Sequence, residues 1–309
     1  MIKKVLIFGF AFLSATSANA QQEAMFTHYS FNTLAVNAGY AGSRDALTVT
    51  GLHRSQWVSF PGAPRTQTLS LHAPIANEKI GLGVSILNDA IGPTRQTAFY
   101  ADFAYKIKVG KGKLAFGLKG GLNMVSNDLK ELSTTEENDV NFQENIQSEL
   151  LPNFGFGLYY STTKYFVGLS TPRLLENQYE SNITSGTVES EKRHYYFIGG
   201  MIFNLNNIGS VKLKPTTFVK LTEGAPLELD LSALFYFNDK YWAGPMWRSG
   251  DALGALVGVN ITDQFSFGYS FDWSYGLKTF KYNGGSHELM LRYDFVFKDK
   301  GRIKSPRYF

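Results

Sequence analysis

From residue 265 to 273 the chain alternates without a fault. Phe265, Phe267, Tyr269, Phe271 and Trp273 hold one parity, and Ser266, Gly268, Ser270 and Asp272 the other. Period two marks a strand whose faces meet different surroundings. Residues 227–237 repeat it, with Leu227, Leu229, Leu231, Ala233, Phe235 and Phe237 against Glu228, Asp230 and Ser232. The last such segment sets Leu289, Leu291, Tyr293, Phe295 and Phe297 opposite Arg292 and Asp294. Phe99, Phe103 and Tyr105 stand against Asp102 and Lys106, and Leu114, Phe116 and Leu118 against Gly117 and Lys119. Past residue 20 there is almost no helical periodicity, and no apolar run near the roughly 18 residues of a spanning helix. Helical membrane architectures are excluded.

A β-sandwich alternates too, so the polar face decides. In a sandwich it meets solvent and favours Lys, Glu and Thr. Here it is rich in Gly and Ser with scattered charges, as the crowded interior of a barrel requires. The apolar face carries Phe, Leu and Tyr, suited to lipid and headgroups. Composition agrees: 15% of residues are aromatic and 30 are Gly, while 44% are hydrophobic at a formal charge of only +4. Such a chain is not disordered. A mean hydropathy of −0.15 conceals an apolar surface interleaved residue by residue with a polar one. The sequence has no Cys, which removes disulfides, thiolate metal sites, thiol catalysis and a lipoprotein anchor.

The pattern predicts an all-β, transmembrane antiparallel β-barrel of about 14 strands. They begin near Ala46, Thr66, Lys79, Arg95, Gly112, Asn153, Tyr165, Arg193, Val211, Leu227, Tyr241, Asp251, Gln264 and Ser286. Alternate links are tight: Ala73–Glu78, Val109–Lys111, Ser161–Lys164, Asn206–Ser210, Asn238–Lys240 and Thr262–Asp263. The others include the long links Arg54–Arg65, Asn127–Pro152, Thr171–Lys192 and Ser274–Gly285. Outer-membrane barrels have short periplasmic turns and longer outer loops, so both termini are expected in the periplasm.

Lys3 and Lys4, the apolar run Val5–Leu13 and the sequence Ala18-Asn19-Ala20 have the layout of a cleavable signal, with the cut between Ala20 and Gln21. A membrane anchor is the lesser alternative, because the apolar run is too short to span. The expected organisation is a signal peptide at 1–20, an N-terminal periplasmic segment at 21–45, a barrel at 46–297 and a basic periplasmic tail at 298–309. The aromatic segment 21–45 is expected to pack into or under the barrel. The tail holds Lys298, Lys300, Arg302, Lys304 and Arg307. The overall charge is too small and too dispersed for a nucleic-acid protein.

Chemistry is sparse. His53 and His72 flank the first long link, but roughly 3.3 Å per residue puts them ~20 Å apart. His287 and His53 share the apolar parity, which favours a headgroup-level role. No G-x-S-x-G, H-E-x-x-H or Walker-type motif occurs. Asp102, Glu228, Asp230, Asp272 and Asp294 are expected to pair inside the barrel with Lys106, Lys119 and Arg292. No catalytic, metal or cofactor site is expected. Asn182-Ile183-Thr184 matches a glycosylation sequon and is given little weight. Asn127–Pro152 carries seven acids (Asp128, Glu131, Glu136, Glu137, Asp139, Glu144, Glu149), and links of this length are more often functional than idle.

Several stretches stand out together. They are Phe31-Asn32, Asn37-Ala38-Gly39-Tyr40-Ala41-Gly42-Ser43, His53-Arg54-Ser55-Gln56-Trp57-Val58 and Gly62-Ala63-Pro64-Arg65-Thr66-Gln67-Thr68. Asn88-Asp89-Ala90-Ile91-Gly92-Pro93-Thr94, Leu151-Pro152-Asn153-Phe154-Gly155, Gly284-Gly285-Ser286-His287-Glu288 and Ser305-Pro306-Arg307-Tyr308-Phe309 complete the set. In combination they resemble the PorP/SprF family of type IX secretion and gliding proteins of Bacteroidetes. Thr33 and Ala38 stand where the family often has Pro. The resemblance implies a non-enzymatic outer-membrane protein supporting export or surface attachment of cargo, gliding adhesins among them, through a C-terminal signal domain. It implies the translocon and periplasmic or lipoprotein components as partners. Arg54, Gln56 and Trp57 form an Arg/aromatic cluster of the sort that anchors interfaces. With Pro64, Asn88, Asp89, Arg307, Tyr308 and Phe309 they make the candidate partner-binding set. Competing readings are a channel for small solutes and, third, an outer-membrane enzyme.

Overall fold

The computed structural model describes residues 24–75, 78–128, 145–182, 187–276, 284–295 and 308–309. Fourteen strands close into one antiparallel barrel. They are β1 (Leu47–Ser55), β2 (Arg65–Ile75), β3 (Ile80–Ile91), β4 (Thr94–Val109), β5 (Gly112–Asn127), β6 (Ile146–Ser161), β7 (Tyr165–Thr171), β10 (His194–Met201), β12 (Val211–Thr222), β13 (Glu228–Phe237), β14 (Tyr241–Arg248), β15 (Ala252–Asn260), β16 (Phe265–Ser274) and β17 (Ser286–Phe295). Strands β8 (Gln178–Asn182) and β9 (Thr187–Ser190) form a separate hairpin, and the short β11 (Phe203–Asn204) runs beside β12. β1 pairs with β17 from Leu47↔Phe295 to Ser55↔His287, and β10 pairs with both β7 and β12, so no open edge runs the length of the wall.

Burial is inverted relative to a water-soluble protein. Along β2 the buried residues are Thr66, Thr68, Ser70 and His72, and the exposed ones include Leu69 and Leu71. The same holds on β16, where Ser266, Ser270 and Asp272 are buried while Phe271 and Trp273 are exposed. An apolar belt turned outward needs lipid, and closure gives each wall strand a neighbour on both sides with which to pair its ladder groups. The tight links gather at one end of the barrel (the turn end) and the longer ones at the other (the loop end).

β6 departs from expectation. It begins at Ile146 rather than near Asn153, pairing Asn127↔Ile146 and Val125↔Glu149. Pro152 within it reads as a strand breaker, yet the pairing with β7 starts only at Phe156↔Thr171. The Pro152 carbonyl faces away from β5 and accepts from Asn177 Nδ2 at 3.0 Å, so its missing N–H leaves no ladder bond unmade. Asn153 patches the interrupted ladder. Its Oδ1 accepts from the amides of Leu174 and Leu175, both at 3.0 Å, and its Nδ2 donates to Leu175 O at 2.9 Å. Asn153→Ala is expected to cost about 1–3 kcal/mol by removing the partner of these backbone groups. Urea titration of the barrel in micelles would measure it.

Candidate functional site: a plugged lumen and its two mouths

The segment preceding β1 lies inside the barrel. Residues Phe26 to Arg44 are nearly all buried, including two short helical turns, α1 (Thr33–Val36) and a 3-10 turn (Ala38–Tyr40). The sequence builds this plug from aromatic residues that find apolar partners in the lumen wall. Phe31 stacks on Trp242 with ring centroids 4.7 Å apart, and Tyr29 stacks on Phe218 at 5.0 Å. Two apolar clusters result. One gathers Tyr29, Leu34 and Tyr40 with Tyr159, Phe166 and Ile198, the other Phe26 and Phe31 with Leu234, Trp242 and Met290. Apolar residues therefore form a core as well as a wall.

Glycines in the wall make room. A Cβ on Gly117 would lie 2.1 Å from Gly39 N, and one on Gly81 would lie 1.9 Å from Ala41 O. Asn37 fixes the 3-10 turn by accepting from Gly39 N at 2.8 Å, and it ties the turn to the wall by donating to Leu158 O at 3.0 Å. Asn32 donates to Thr68 Oγ1 at 3.0 Å and accepts from Ser70 Oγ at 2.8 Å. The stretches 31–32 and 37–43 are thus contacts between plug and wall.

The lumen charges divide between the ends. Toward the loop end, Glu288 accepts from the amides of Thr27 (2.8 Å) and His28 (2.7 Å) and meets His28 Nδ1 at 2.7 Å. Arg54 reaches Asp272 at 2.7 Å, Thr27 Oγ1 at 2.8 Å and Glu288 at 3.3 Å. Arg248 holds Asp230 at 2.9 Å. Toward the turn end, Arg44 holds Asp294 at 2.8 Å and Lys106 donates to Gly42 O. Burial alone would make the Arg44 guanidinium easier to deprotonate, but Asp294 and Tyr40 outweigh it and hold its pKa above the ordinary value. Lys119 pairs with Asp102 at 2.7 Å.

The expected interior carboxylates are therefore paired. Asp102 takes Lys119, one of the expected cations, while the others take cations outside the expected set: Asp294 takes Arg44, Asp272 takes Arg54, and Asp230 and Glu228 face Arg248. The parity of Arg54 with Thr48 and Thr50, opposite to His53, was the available signal that it points inward. Glu288 shares the inward parity of Arg292 and Asp294 on β17, whereas His28, in the plug, gave no comparable sign.

Of the candidate partner-binding residues, Arg54 is buried against the plug. Gln56 and Pro64 meet across the first loop, where Gln56 N donates to Pro64 O at 3.0 Å. Trp57 has φ 45° and Ser59 φ 74°, left-handed backbone that non-glycine residues rarely adopt. This loop is tied to its neighbours: Val58 N donates to Gly285 O (2.9 Å), and Gly92 N donates to Gly62 O (2.9 Å). Its tip exposes Val58 and Phe60, which sequence reasoning did not single out. Asn88 and Asp89 lie opposite Gln67 and Thr66 on the adjoining strand pair, with Asn88 exposed. Tyr308 and Phe309 sit at the turn end instead. Arg307, the bond between Ala20 and Gln21, most of the acidic link and most of the sequon lie outside the described residues.

His53 and His287 lie on neighbouring strands and bond to different groups. His53 meets Gln67 and Ser55, and His287 meets Tyr269 OH at 2.7 Å. Among the described residues no three His, Cys, Asp or Glu side chains are grouped to hold a metal.

The family description "Type IX secretion system membrane protein PorP/SprF" matches residues 18–293. The chain belongs to the PorP/SprF family. No curated protein matches it significantly. Among solved structures, several barrels match at low identity. The Acinetobacter baumannii outer membrane protein Omp33 is 9% identical, with a TM-score of 0.48 over 81% of this chain and 98% of its own. The CymD monoaromatic hydrocarbon channel is 10% identical, with a TM-score of 0.47 over 82% and 90%. The KdgM porin is 8% identical, with a TM-score of 0.38 over 81% and 100%. Family membership and a lipid-facing barrel place this PorP/SprF protein in the outer membrane, with a role in type IX secretion.

Proposed function

We propose that this PorP/SprF protein is a plugged docking platform. It supports export or surface attachment of secreted cargo through the cargo's C-terminal domain, and it does not pass small solutes. The filled lumen carries this reading. A solute channel needs a continuous aqueous path, whereas residues 26–44 are buried against both halves of the wall. The long links face the exterior and both termini the periplasm, where the translocon and its periplasmic or lipoprotein components approach. No step of this role requires catalysis.

Cargo contact falls on the loop-end surface made by residues 56–64, with Asn88 beside it. Gln56→Ala with Trp57→Ala is expected to reduce surface display of cargo severalfold while the barrel stays in the membrane. Arg54→Ala acts differently, because it unseats the plug. Co-purification of a secreted protein through its C-terminal domain tests the role directly. Failure of any secreted protein to co-purify, together with liposome swelling by the intact protein, would favour the channel.

A further inference from the structure

Two buried cations near the turn-end mouth, Lys214 and Arg292, make no ion pair among the described residues. Both lie beside the plug ring of Phe31, Lys214 Nζ at 5.3 Å and Arg292 Cζ at 5.2 Å from its centroid. The Nε of Arg292 has no hydrogen-bond partner. Lys214 is completed by the end of the sequence: its Nζ donates to Tyr308 O at 2.6 Å.

The rest of the Tyr308–Phe309 dipeptide is held with equal detail. The Tyr308 hydroxyl donates to Asp239 at 2.6 Å and accepts from Lys212. Its ring meets Tyr236 edge-on at 5.5 Å. The Phe309 ring packs on Phe166 at 5.0 Å and lies under Lys214 Nζ at 5.5 Å, and the Phe309 carbonyl accepts from Arg44 at 3.3 Å. Every one of these groups comes from the wall strands, the 238–240 turn or the plug. The seat is complete without a covalent link to its occupant, and the two residues are only half-buried in it.

We infer that this seat is a peptide-binding site. It takes an extended segment with two consecutive aromatic residues, whose backbone carbonyls meet Lys214 and Arg44 and whose phenol meets Asp239 and Lys212. Tyr308–Phe309 fills it in cis, and a partner segment of the same chemistry takes it by exchange. The inference goes beyond the docking role above and stands apart from it, since it concerns the opposite end of the barrel.

The test uses the full chain with Tyr308→Ala and Phe309→Ala, which empties the seat. The probe is a fluorescent synthetic peptide of residues 298–309. Saturable binding to the double variant is expected, at least about tenfold tighter than to the unchanged protein, where the tethered occupant competes at high local concentration. Adding Lys214→Met should weaken it by about tenfold, the loss of one charge-assisted hydrogen bond. If that variant fails to form a heat-modifiable barrel, Asp239→Asn at the rim tests the seat through its contact with the Tyr308 phenol instead, with a weakening of the same sign expected. The idea is overturned if a folded double variant leaves the peptide unbound. It is equally overturned if the peptide binds both proteins alike and a peptide ending in Ala-Ala binds as well, which marks basic residues adhering to the micelle.

Discussion

Deleting residues 24–44 is expected to convert a silent protein into a conducting one. The intact protein in a planar lipid bilayer should carry no steady current, and the deletion variant should carry a persistent one. Barrel size supports this. About eight strands leave an interior that side chains fill, while 16–18 leave an aqueous channel. A wall of 14 strands lies between them, and here it is lined by Gly, Ser and Thr where the plug sits. The plug will not leave by thermal motion. Burying Phe26, Tyr29, Phe31, Leu34 and Tyr40 contributes about 2 kcal/mol each, on the order of 10 kcal/mol before its hydrogen bonds are counted. A steady current through the intact protein would defeat the plugged reading and revive the solute channel.

Glu288→Ala should produce the second-largest effect, a loss of about 3–5 kcal/mol in barrel stability, because it breaks a buried charged cluster from one side. The substitution strands two plug amides and the His28 ring inside the lumen and leaves Arg54 with Asp272 as its remaining carboxylate. Urea unfolding in vesicles, followed by gel mobility, would measure the loss. Glu288→Gln keeps an acceptor for the amides and should recover part of it. The alanine variant should also show intermittent conductance, since the N-terminal end of the plug is held there. Unchanged stability in the alanine variant would mean that the apolar contacts alone secure the plug.

The wall was legible in the sequence because each strand alternates independently. Thirteen of the strands begin within two residues of the positions read from alternation, and β6 alone departs further, beginning at Ile146 rather than Asn153. Pro152 and the acids before it mask the start of β6, since nothing local reveals that this strand has β5 on one side and a patched edge on the other. The lumen was legible only in part. Parity identifies Asp272 and Asp294 as inward, but parity cannot say which cation crosses the barrel to reach them. Arg44 comes from the plug, outside any alternating segment. The plug itself was foreshadowed by aromatic residues that had no strand to belong to, yet packing into and packing under the barrel leave the same trace. The inward glycines at 81 and 117 read as crowding without naming what crowds them.

One contact sets the order in which this molecule can be made. Glu288 grips the Thr27 and His28 amides across some 260 residues of chain, so the plug is clamped by β17. Contacts of such separation form late, after the loop-closure entropy of nearly the whole chain has been met. The last strand also seals the wall against β1. Sealing the wall and seating the plug therefore belong to a single terminal event in biogenesis. A nascent barrel that closed without its N-terminal segment would lock that segment out, so the contacts favour an order in which the plug is seated before the β1–β17 seam closes.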